Sequence, residues 1–244
     1  MSPHEAIPES QQTFHNRTDP HRRNNSLPDV ILGAQDGVVN VLGVLLGVAA
    51  AGGGPRIVVA AGLATASAGA LSMAAVGYTS ALAAADVYRS EREREYRHVR
   101  EVPALERAEV REIYEAKGFK GAMLDRIVET ITADHDVWVA VMMNEEHHLS
   151  PVSRRQALRS GLVVGLSALV GALLPIAPFF FGGIQAPAAT AVGVAATLLF
   201  GVGAYKARQT TSPVLRSALE LTAIGLVSAF AAWGIGSLFG VATG

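Results

Sequence analysis

Four stretches of this 244-residue chain contain no aspartate, glutamate, lysine or arginine: residues 37–55, 57–85, 160–205 and 221–244, which are 19, 29, 46 and 24 residues long. A helix needs about 20 apolar residues to cross the hydrocarbon of a bilayer. One soluble core has no use for four such runs. Only 17% of the residues are charged, against about 25% in an ordinary soluble domain. Soluble enzyme, disordered chain and nucleic-acid binder are therefore poor readings. The absence of cysteine removes disulfides and thiolate metal sites.

The pattern predicts an all-α membrane protein with five spans. The first covers residues 30–51 and ends at Gly52-Gly53-Gly54-Pro55, which no helix continues through. The second, 57–85, is long for a bilayer, so its end is expected to project into water. The 46-residue run divides at Gly182-Gly183 and Pro187, giving spans at 159–181 and 188–205, and the fifth is 217–239. Nineteen of the twenty lysines and arginines fall in the N-terminal tail, in 86–159 or in 206–216. Cationic loops stay on the cytoplasmic side, so the expected topology is N-terminus in and C-terminus out. Residues 1–28 read as a flexible cytoplasmic tail whose His4, His15 and His21 are read as solvated, with weak metal binding the alternative. Spans one and two then occupy 29–85, a cytoplasmic helical domain 86–155, and spans three to five 156–244.

An aspartate inside a span costs roughly 2.5–3.5 kcal/mol on insertion scales and marks a functional pathway by default. Asp36 lies a turn or two inside the first span. Asp29 stands at its entrance, where a headgroup-level or capping role is equally open. The two are seven apart and share a helix face, which Asn40 extends by a turn. Such a stripe of oxygen ligands suits a divalent cation. Met73 in the second span gains interest if it faces Asp36, because a thioether beside a carboxylate favours a transition metal over Mg²⁺ or Ca²⁺. Glycines are dense in the spans, with Gly43 and Gly47 one small-xxx-small pair, and allow close helix contact, including between protomers.

Fifteen of the 21 acidic residues lie in 86–150. This insert reads as a three-helix unit: a polar continuation of the second span to Pro103, a helix over 104–117 ended by Gly118, and a helix over 121–148. Glu91, Glu95 and His98, then Glu106, Glu109 and Glu112, then Met142, Met143 and Glu146 fall at spacings that share a helix face. Like charges there repel unless a cation lies between them. Arg92, Arg94, Arg97, Arg107 and Arg111 interleave with the glutamates, however, so a solvated, salt-bridged face remains open.

The run Leu32-Gly-Ala-Gln-Asp-Gly-Val-Val-Asn-Val-Leu-Gly43, together with Gly69-Ala-Leu-Ser-Met-Ala-Ala75, resembles the first two spans of the vacuolar iron transporter family of iron and manganese carriers. The insert stands where that family has its cytoplasmic metal-binding domain, and the resemblance runs from about Asp29 to the C-terminus. It implies a homodimer with the ion path at the dimer axis, and export of Fe²⁺ or Mn²⁺ from the cytosol in exchange for protons. It implies that Asp36 and Met73 line the transmembrane site, with Asp29 at the cytoplasmic entrance. Glu95, Glu106, Glu109 and Glu146 match the family's glutamate ligands, and Met142 and Met143 its methionine pair. No prosthetic group is implied.

Two positions depart from the family pattern. Val76-Gly77-Tyr78 stands where the family often has Gly-Glu-Tyr, and His98 where a glutamate is expected. Imidazole still binds Fe²⁺, Mn²⁺ or Zn²⁺, but with one charge fewer and more dependence on pH. The rival to transport is a membrane-anchored metal sensor or store. An intramembrane enzyme is disfavoured, because Asp29 and Asp36 share one helix and no span holds a histidine for a Ser–His pair. Abundant Ala, Gly and Arg, without an organelle signal, suggest a multi-pass protein of a bacterial-type inner (plasma) membrane.

Overall fold

The computed structural model describes residues 26–181, 184–210 and 212–240. The tail with His4, His15 and His21 lies outside the described residues. The described chain is helical, and five of its helices are long and apolar enough to cross a membrane. The first, α1, is Leu27–Ala50. It ends in a turn where Gly52 takes φ +88°, a conformation that side chains resist. Pro55 then opens α2, Pro55–Glu101, a single helix of 47 residues. At 1.5 Å per residue this is a rod of about 70 Å, over twice the roughly 30 Å of bilayer hydrocarbon. Half of it must lie beyond the membrane.

Three short helices follow: α3 Pro103–Ala116, α4 Gly121–Thr132 and α5 His135–Glu145. Gly118, at φ +96°, ends α3 as its sequence suggested. The single helix expected over 121–148 is broken in two. Asp134 caps α5, its Oδ1 accepting from the backbone N–H of Asp136 at 2.7 Å and of Val137 at 3.2 Å. A cap of this kind favours starting a new helix over continuing the old one. Val99 of α2, Val110, Val128, Trp138, Met142 and Met143 form the core of the unit. The Tyr96 hydroxyl donates to Asp136 at 2.5 Å and fastens α5 to the rod.

The remaining spans are α6, Arg154–Ile176, extended by a tight 3₁₀ turn at Ala177–Phe181, then α7 Gln185–Gln209 and α8 Val214–Gly240. Without a hydrophobic drive between helices in lipid, close backbone packing must hold them together. Glycine supplies it. A Cβ on Gly33 would come within 2.1 Å of the Val164 carbonyl oxygen, and one on Gly37 within 2.0 Å of that of Ala168, so α1 and α6 touch backbone to backbone. The Gly43/Gly47 pair faces Ala232 of α8, a contact within one chain. Leu71, Leu162, Val227 and Leu238 project outward unpartnered, as side chains meeting lipid would.

Candidate metal centre

The water end of α2 gathers the carboxylates. Pro103 turns the chain back directly after α2, which brings Glu106 in the first turn of α3 against His98 of α2. His98 Nδ1 lies 3.1 Å from Glu106 Oε1. From the other side, His147 Nε2 lies 2.9 Å from Glu95 Oε1. Glu95, His98 and Glu106 can offer ligand atoms all within 4.8 Å of one another, as can Glu95, Glu146 and His147. Glu95 belongs to both sets. It is 3% exposed and Glu106 is 1% exposed, yet Oε2 of each has no hydrogen-bond partner among the described residues. A buried carboxylate oxygen without a donor is costly, and a divalent cation between the two would satisfy both.

The electrostatics agree with the geometry. Burial, and then the charges of Glu95 and Glu109, push the Glu106 carboxyl up to about 7. Burial also raises Glu146, with Glu109 and Glu95 adding to it against His147 and His98. Burial pulls His147 down, but its bond to Glu95 and the surrounding carboxylates outweigh this and raise it. The arginines do not neutralise the cluster. Arg94 pairs with Glu91 at 2.8 Å and Arg111 with Asp125 at 2.6 Å, whereas Glu95 and Glu106 pair with histidines. The salt-bridged face is real for Glu91 and does not extend to the buried pair.

Glu109 is half-buried outside both triads, close enough for its charge to be felt by Glu106 and Glu146. Met142 and Met143 are buried in the apolar core of the unit. The Met142 carbonyl oxygen accepts from the N–H of Glu146 at 3.0 Å and of His147 at 3.3 Å, and Leu149 N–H reaches back to the Met143 carbonyl oxygen at 3.0 Å. This winds the end of α5 into a left-handed cap, with His148 at φ +53°. The cap aims Glu146 and His147 at Glu95. Sequence reasoning missed His147; the run Glu145-Glu-His-His148 was the available signal.

Within the spans, Asp36 and Asn40 of α1 line a cavity of about 390 Å³ with Thr65 and Gly69 of α2 and Ala168 and Ala172 of α6. Asn40 Nδ2 donates to Asp36 Oδ1 at 2.9 Å. Met73 is half-buried one turn beyond Gly69 and is not among the residues lining this cavity. Asp29 lines a different one, with Gln156, Arg159 and Ala81. Gly77 sits where α2 crosses α6 closely. A Cβ there would lie 3.1 Å from the Gly161 Cα and 3.0 Å from Val164 Cγ2, so a larger side chain would require the crossing to give by a few tenths of an ångström.

A sequence model described as the VIT family matches residues 27–237. The chain is 33% identical over 208 residues to vacuolar iron transporter 1 of Oryza sativa subsp. japonica, covering 85% of this chain and 82% of that protein. To vacuolar iron transporter 1 of Arabidopsis thaliana it is 31% identical over 229 residues, covering 93% and 91%. The vacuolar iron transporter of Plasmodium falciparum is 26% identical over 230 residues, covering 88% and 84%. These relatives are named as transporters, not enzymes. Their names also overturn the expectation of an inner plasma membrane, since they point to a vacuolar membrane. That expectation rested on composition and on the lack of a recognised organelle signal, neither of which distinguishes one lipid bilayer from another; the multi-pass architecture stands.

Proposed function

The chain belongs to the VIT family, and from that premise we propose that it carries Fe²⁺, with Mn²⁺ as a second substrate, out of the cytosol across a vacuole-type membrane in exchange for protons. The observation that carries this reading is the pair of buried, unpartnered carboxylate oxygens on Glu95 and Glu106. They stand at the water end of the helix that also walls the Asp36 cavity. In the reading, the insert faces the cytosol, as the cationic loops suggest, and collects metal on Glu95, His98, Glu106, Glu109, Glu146 and His147. Mixed carboxylate and imidazole ligands suit Fe²⁺ and Mn²⁺. Met142 and Met143 serve by packing and by setting the cap that aims Glu146 and His147.

The ion then passes Asp29 and reaches Asp36, with Met73 on the insert side of that site. A carboxylate both ligates a cation and accepts a proton, so Asp36 suits an exchange of one for the other. Two copies form a homodimer with α1 and α2 at the axis, each closing the other's cavity. A metal sensor or store would need the Glu95–Glu106 cluster but not Asp36, and a flux assay separates the two. Purified protein in liposomes, given Fe²⁺ and Mn²⁺ in competition with and without a pH gradient, is expected to move both ions, faster with the gradient. Asp36→Ala is expected to abolish flux while leaving metal binding by the insert intact. Wild-type flux in that variant would refute the role of Asp36, and no flux in the unaltered protein would favour the sensor.

A further inference from the structure

The Asp36 cavity holds two polar groups that the transport reading leaves idle. Asn40 gives its amide N–H to Asp36 Oδ1, which leaves its own carbonyl oxygen as a free acceptor. Thr65 lines the same cavity from α2. Hydroxyls in membrane helices usually bond back to the carbonyl four residues earlier. Ser67 does so on this helix at 2.9 Å, and Thr79 at 2.8 Å. Thr65 makes no such bond among the described residues. Its hydroxyl is a spare oxygen on the wall of a cavity that also holds a carboxylate and an amide.

The placement of these groups is directional. α1 and α2 are joined by the short turn after Ala50 and run antiparallel. Asn40 stands one turn, about 6 Å, from Asp36 towards that turn. Thr65 stands one turn from Gly69 in the same sense, while Met73 stands one turn from Gly69 towards the insert. The cavity therefore has a charged level at Asp36 and an uncharged level of amide and hydroxyl oxygens beyond it. At about 30 Å³ per water, its 390 Å³ has room for a divalent ion that keeps several waters at both levels. Neutral oxygens hold such an ion less firmly than a carboxylate, which is the property an exit station needs.

We propose that Asn40 and Thr65 form a second, uncharged ion station that receives the divalent cation from Asp36 on its way out. The inference rests on the reading that Asp36 lies on the ion path. Its test uses the full-length protein in liposomes, measuring initial Mn²⁺ flux against Mn²⁺ concentration. Thr65→Val keeps the shape and removes the hydroxyl, and is expected to lower the maximal rate about five-fold, the scale of one hydrogen-bond-strength ligand. The half-maximal concentration should hardly move, because capture lies upstream. Thr65→Ser should retain the wild-type maximal rate, and Asn40→Ala should lower it. Wild-type maximal rates in both Thr65→Val and Asn40→Ala overturn the proposal, as does an equal loss in Thr65→Ser and Thr65→Val, which marks packing. Asp36→Ala in parallel keeps the parent reading separate: wild-type flux there removes the path itself.

Discussion

Replacing Glu106 with glutamine should stabilise the metal-free protein and weaken the metal-loaded one. Glu106 and Glu95 carry carboxylate oxygens within 4.8 Å of each other and lie nearly out of water. Two unit charges at that separation repel by roughly 3 kcal/mol at an effective dielectric of about 20, and burial adds to the cost. Glutamine keeps an oxygen for His98 and removes the charge, so a gain on the order of 1–3 kcal/mol is expected in chelator at pH 8. The sign with pH follows from linkage. The folded-state carboxyl of Glu106 is raised from 4.5 to about 7, so its contribution is full below about 4.5 and is lost as pH rises through 7. The advantage of the variant should therefore shrink as pH falls from 8 towards 5. With Mn²⁺ at a hundred times its dissociation constant, the wild type gains about 2.7 kcal/mol, and the variant should forgo most of it. Trp138 is buried in the core of the insert. In a Trp233→Phe background its fluorescence reports unfolding of this unit in the full-length protein. A Glu106→Gln protein less stable than wild type in chelator at pH 8, or equally stabilised by Mn²⁺, would refute the reasoning.

Two further outcomes follow from the geometry. His147→Ala removes the ring held 2.9 Å from Glu95 and should weaken metal binding about 10–100-fold, the usual cost of losing a group that ligates or orients a ligand; titration calorimetry with Mn²⁺ on the detergent-purified protein checks it, and unchanged affinity would exclude His147 from the site. Gly37→Leu drives a side chain into the Ala168 carbonyl, where even a Cβ would sit at 2.0 Å; it should separate α1 from α6 and abolish monodisperse protein in size-exclusion chromatography.

Much of this architecture was legible in the sequence, because uncharged runs and glycine breaks respond to lipid, which acts on every segment alike. The Gly52 turn, the Pro103 break and the Gly118 terminus follow from local backbone preferences and stand in the structure where expected. The break at Asp134 did not announce itself. Its apolar positions keep helical spacing on both sides, and only the cap made by the Asp134 side chain divides them. Periodicity likewise left the glutamates undecided between a solvated face and a site. Burial separates them: Glu91 takes an arginine at the surface, while Glu95, four residues on, is buried and meets His147 from an element distant in sequence. His147 escaped notice because it is aimed by a tertiary turn ending in a left-handed residue, which no helical spacing encodes.

The length of α2 separates the Glu95 cluster from the Asp36 cavity. Glu95 and Met73 are 22 residues apart on one helix, about 33 Å by helical rise. No side chain bridges that distance. Ala81, which lines the cavity of Asp29, stands on the same rod between them, about 12 Å from Met73 and about 21 Å from Glu95. Asp29, on α1, is thus the acidic group at the intermediate level, and the proposed route passes the levels of Glu95, Asp29 and Asp36 in separate steps. An ion held firmly by the buried carboxylates would stay on the insert unless something raised its rate of leaving. Under the proposed transport the histidines at both triads would answer that need, since imidazole contributes no negative charge and a carboxylate in its place would deepen the trap. On that proposal, weaker capture is the condition for release towards the membrane.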